Sequence, residues 1–180
     1  MLNYEIYKSS RNASWKFLIS HRVSELPIDI KSITKSMGIT VRKDITGLLD
    51  PGEQGRTITT EDEIQMIVRD MPIPQKRYTI MHEIGHLVLS HTANNGIYTD
   101  DNEYQAERFA IDVLAPACVL WGLNLHTAED IARVCNISIT SAQRRAERMR
   151  ILYDRNMFLS HPLERQVFEQ FRDFINNQNK

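Results

Sequence analysis

Residues 82–86 read His82-Glu83-Ile84-Gly85-His86, two histidines four apart with a glutamate beside the first. Around them Ile80, Met81, Ile84, Leu87 and Val88 keep the 3.6-residue period of an amphipathic helix, and Pro74 marks an opening, which predicts a helix over 74–90. Residues four apart on a helix lie one turn above each other and about 40° apart in azimuth, so both imidazoles can meet one ion at about 2.0–2.1 Å. With Ile84 as zero, the apolar positions fall within about 60° of it and the histidines near 160° and 200°. The histidines therefore face away from the core stripe, with Glu83 beside them as a candidate general base.

Catalytic zinc normally takes three protein ligands and keeps a fourth position open. The next helix, predicted over 101–115 and capped by Asp100 or Asp101, carries Ala106, Phe109, Ala110, Val113 and Leu114 on one stripe. Glu103 falls inside that stripe, and a carboxylate buried there needs a partner such as a dication. Glu103 is the expected third ligand after His82 and His86. Glu107, one turn on, is its rival; it could alternatively accept a proton from a ligating imidazole and fix its tautomer. His91 is five residues beyond His86 and would lie on the opposite face of a continued helix, so it reads as structural.

Elsewhere the chain reads as α+β. Helices are expected within 10–37, with a stripe over 14–26 and a second helix opening at Pro27. A small twisted, mainly antiparallel sheet is expected over 39–69, from ITVRKDI, RTITT and EIQMIVRD around the turn-rich LLDPGEQGR. Residues 1–117 would form the core, and 118–180 a helical extension packed on it and able to dock a partner. Two cysteines, Cys118 and Cys135, lack CxxC spacing and read as small buried hydrophobes. No apolar run approaches the roughly 20 residues that span a bilayer, and no secretion signal is visible, so a cytoplasmic location is expected. A formal net charge of -1 gives no general pull toward nucleic acid.

The stretch RYTIMHEIGHLVLSH followed by EYQAERFAIDVLAP resembles the ImmA/IrrE family of metallopeptidases, and LPIDIKSITKSMGITV is similar to the family's amino-terminal helix and first strand. The likeness covers roughly residues 24 to 117. It implies a gluzincin-like zinc endopeptidase with His82, His86 and Glu103 as ligands and Glu83 as base, and a helix-turn-helix repressor of a phage, mobile element or stress operon as substrate. Gln105 stands where the family often has Glu, Glu107 where it often has Asn, and Ala115 where it often has Met.

In such an enzyme RTITT or EIQMIVRD could pair with an extended substrate, and Tyr98, Tyr104 and His126 are candidates for a second oxyanion donor. A reading from another class rests on TAEDIARVCNISITSAQRRAERM, loosely a helix-turn-helix with an arginine-rich second helix. The chain could then bind DNA or a regulator, with zinc serving structure only.

Overall fold

In the computed structural model, which describes residues 4–93 and 97–178, the chain opens with helix α1 (Tyr4–Ser20). Its buried face mixes Trp15, Phe17 and Leu18 with Ser10 and Ser14, whose hydroxyls donate to the carbonyls of Ile6 at 3.3 Å and Arg11 at 2.7 Å. Serines that satisfy themselves this way can sit in a core, and they carry the helix further toward the amino terminus than its apolar stripe predicts. It also stops sooner. Arg22 adopts the left-handed region (φ 52°), and the amides of Arg22 and Val23 close onto the carbonyls of Ile19 and Leu18. Helix α2 (Ile30–Ser36) begins after Asp29 rather than at Pro27, because the Asp29 carboxylate accepts the Ser32 amide at 3.1 Å.

Strands β1 (Ile39–Lys43), β2 (Gly55–Thr59) and β3 (Ile64–Val68) form one sheet in the order β1-β3-β2. β2 and β3 are an antiparallel hairpin, whereas β1 runs parallel to β3, so the sheet is mixed and the expectation of a mainly antiparallel one is corrected. The cause is the segment between β1 and β2, which does not turn the chain straight back. The Asp44 carboxylate gathers the amides of Gly47, Leu48 and Leu49 at 2.8–3.2 Å. Arg69 donates to the carbonyls of Leu49 (3.2 Å), Asp50 (2.6 Å) and Glu53. Held in this way, the loop carries the chain past β3 to the far side of the sheet. β3 is therefore central, and β2 is an edge strand that packs against the helix that follows.

That helix is α3 (Ile73–Val88), and after the loop comes α4 (Asp100–Leu114). Residues 94–96 of the expected 92–101 loop lie outside the described residues. α4 is capped by Thr99, whose hydroxyl accepts the Asn102 amide at 3.2 Å, and not by Asp100 or Asp101, which instead sit with Glu103 in the first turn and suit the helix dipole there. It packs between α1 and α3, with Phe109 edge-on to Phe17 at 5.3 Å. The approach to α3 depends on Gly85, where an added Cβ would lie 3.1 Å from the Phe109 ring and 3.2 Å from the Ala106 Cα.

Five further helices follow: α5 (Ala117–Gly122), α6 (Ala128–Cys135), α7 (Ile139–Asp154), α8 (Pro162–Gln170) and α9 (Arg172–Gln178). They share the core of the preceding elements through Val119, Leu120, Ile131, Met149, Val167 and Phe171. Gln170 of α8 donates to the carbonyls of Leu18 (2.9 Å) and Val23 (2.5 Å) at the end of α1. Arg77 of α3 donates to the carbonyls of Asn136 (3.0 Å) and Cys135 (3.4 Å), satisfying the end of α6. Cys118 and Cys135 are buried and free. Among the described residues no helix is long and apolar enough to cross a membrane.

Candidate metal centre

α3 carries His82 and His86 against Glu103 of α4, and Glu83 against β2. The two Nε2 atoms lie 3.0 Å apart, and Glu103 places Oε2 3.2 Å from His82 Nε2 and Oε1 3.7 Å from His86 Nε2. One donor atom from each residue falls within 4.8 Å of the others. A tetrahedral ion with ligands at about 2.0–2.1 Å has ligand-to-ligand edges of about 3.4 Å, so these separations bracket what zinc needs. Burial lowers the pKa of His82 and takes that of His86 down to about 3, where the nearby His82 and His91 add to it. Both rings are thus neutral at pH 7, and their contacts with Glu103 are lone pairs gathered at one point rather than ion pairs. The donor chemistry, two imidazoles and a carboxylate, fits a zinc-type divalent ion.

Glu103 reaches this point from a less buried place than the helix stripe suggests. Its side chain is 46% exposed, because the arc of α4 covered by α1 and α3 ends short of it. Glu107 is exposed and reaches His82 by its charge alone.

Glu83 is buried, and its Oε2 accepts the hydroxyl of Thr57 on β2 at 2.8 Å. Burial pushes the carboxyl up to about 7, the Thr57 hydrogen bond works against that shift, and the charges of Glu103 and Glu53 add to it. β2 comes this close because of Gly55, where a Cβ would stand 2.6 Å from the Thr79 methyl on α3. Sequence reasoning did not single out Thr57; the signal was the alternation in RTITT, which puts Thr57 and Thr59 on one face.

His91 departs furthest from its expected place. The helix ends at Val88, Ser90 turns left-handed (φ 55°), and the His91 amide folds back to the His86 carbonyl at 2.9 Å. Its Nδ1 then meets His86 Nδ1 at 3.0 Å, and its Nε2 meets the Gln105 side-chain oxygen at 3.0 Å. An amide oxygen only accepts, so His91 carries its proton on Nε2 and offers a bare Nδ1 to the Nδ1–H of His86. That leaves the His86 Nε2 lone pair pointing at His82 and Glu103. The tautomer-fixing part considered for Glu107 thus falls to His91 at His86, with Gln105 behind it. Of the three oxyanion candidates, Tyr98 stacks on His86 (3.7 Å between centroids, 17° between planes). Tyr104 lines a cavity between α3, α4 and α7, and His126 pairs with Asn124 at 2.9 Å, away from the centre.

Two histidines one turn apart, a carboxylate from the adjoining helix and a buried glutamate beside them define an α+β protein with a candidate metal-binding triad. The chain belongs to the peptidase family described as the IrrE N-terminal-like domain, whose model matches residues 36–147. The match takes in β1, β2, β3, α3 and α4 and runs on into α7. No protein of curated function matches the chain.

Proposed function

We propose that the protein is a zinc-dependent endopeptidase of gluzincin-like arrangement, with His82, His86 and Glu103 as zinc ligands and Glu83 as general base. The observation that carries this reading is the convergence of the three donors within 4.8 Å beside a glutamate held by an edge strand. The chemistry zinc supplies in such a set is polarisation of the scissile carbonyl and acidification of the attacking water. Thr57 holds Glu83 Oε2, which leaves Oε1 to take the water's proton and pass it to the leaving amine. The outer edge of β2 can pair with an extended substrate backbone, which lays a peptide beside Glu83. Tyr98 covers one face of His86 and keeps that ring from water.

The resemblance to ImmA/IrrE peptidases supports a helix-turn-helix repressor as the substrate, cleaved at one site in the cytoplasm. Co-incubation with the repressor encoded beside the gene tests this. Glu83→Gln is expected to keep its zinc and slow cleavage by about 10² to 10⁴. Glu103→Ala is expected to lose zinc on elemental analysis. Cleavage at the wild-type rate by Glu83→Gln would remove it as the base, and full zinc in Glu103→Ala with depletion in Glu107→Ala would transfer the ligand role. An intact repressor alongside cleavage of a generic peptide would reject the substrate alone.

A further inference from the structure

Beside Glu107, one turn along α4 from Glu103, helices α3, α4 and α7 form a cavity of about 170 Å³. Its lining includes Tyr104, Ser141, Arg108, Arg144, Arg145 and Arg148. Four guanidiniums there are balanced by two carboxylates, Glu107 in the wall and Asp112 beneath it. Asp112 takes Arg108 at 2.9 Å and Arg145 at 2.5 Å, while Arg108 and Arg148 share a neutral acceptor, the Tyr7 hydroxyl, at 3.3 and 2.5 Å. Positive charge is left over. Donors are left over too: the Nε atoms of Arg145 and Arg148 are buried with no hydrogen-bond partner, although Arg145 is only 2% exposed. Such groups are rarely tolerated without an acceptor. The Ser141 hydroxyl accepts from Ser138 at 3.0 Å and so keeps its own proton to give.

We propose that this cavity binds a phosphate group, as free phosphate or as the end of a small phosphomonoester. Arginine pairs with phosphate through parallel N–H donors, and a tetrahedral dianion matches both the surplus of charge and the spread of donors over α4 and α7. A carboxylate brings one charge and two oxygens in a plane, which serves fewer of them. The volume lies below the roughly 300 Å³ at which drug-sized pockets begin, as suits a small anion. The arginines that suggest a DNA-reading face in the sequence are thus divided, with Arg145 and Arg148 turned into the cavity wall. The site does not rest on the peptidase reading.

Titration calorimetry of the full chain with inorganic phosphate, and separately with glycerol phosphate, tests it. One-to-one binding with a Kd below about 1 mM is expected for at least one of them, and the tighter ligand identifies the source. Arg144→Gln, which removes an exposed side chain at the cavity, should weaken binding about tenfold or more with no change in thermal melting. Arg148→Gln should do the same, and Arg150→Gln, an exposed arginine outside the cavity, should not. Because phosphate can also bind zinc, binding must survive in Glu103→Ala. Four results would overturn the site: no binding of either ligand, equal weakening by Arg150→Gln, loss of binding in Glu103→Ala, or acetate bound as tightly as phosphate.

Discussion

At the scale of single residues, the candidate metal triad is buttressed by side chains outside it. His91 holds His86 through the 3.0 Å contact between their Nδ1 atoms and is itself held by Gln105. Removing such a partner typically costs 10- to 100-fold in metal affinity. His91→Ala is therefore expected to weaken zinc binding by about that factor in competition with a chromophoric chelator, with little change in the melting of the metal-free protein. Unchanged affinity would make the contact incidental. That His82 and His86 share one face of α3 was legible in the sequence, because azimuth follows from spacing in a regular helix, whereas Glu103 joins them from a half-exposed place that the α4 stripe did not predict. His91 and Thr57 were not legible. One arrives through a left-handed residue that breaks the period, the other through a strand register that no local pattern fixes.

At the scale of elements, the centre is set by how closely α3 and α4 cross. Gly85 lies between the two histidines, and a methyl there would press on the Ala106 backbone, which cannot swing aside as a long side chain can. Gly85→Ala gains helix propensity but overpacks the crossing, for an expected net loss of about 1–3 kcal/mol by urea denaturation together with weaker zinc binding. A more stable variant would show that the crossing has slack. The same helices were foreseen to within a residue or two, since their apolar stripes are written locally, although the cap of α4 is Thr99 and not one of the aspartates after it. The direction of β1 was not, because it follows from the path of the 44–54 loop, and that path depends on Arg69 reaching back across the sheet.

For the molecule as a whole, Asp112 is the node where α4 meets α7. It is buried between Arg108 and Arg145, one of them at 1% side-chain exposure. Burial by itself raises its pKa, yet the two arginines more than offset this and hold it below the ordinary value of 3.8. A carboxyl depressed in the folded state stabilises at pH above its unfolded pKa, and loses that contribution as pH falls through the folded pKa. Asp112→Asn should thus cost about 3–5 kcal/mol near neutrality, and the gap from wild type should narrow below about pH 4 in urea melts. A gap independent of pH would mean that packing, not charge, is what the aspartate provides.

Strand β2 has a consequence for self-association. Strands with a free edge are where proteins polymerise, copy against copy, unless the edge is short or charged. This one is five residues long, and at its start Arg56 is clasped by Asp50 (2.6 Å) and Glu53 (2.7 Å). Such a clasp places both signs of charge where an in-register second copy would have to dock. The edge beside Glu83 is thus too brief and too charged to template a fibre, while its backbone groups stay open to a single passing chain.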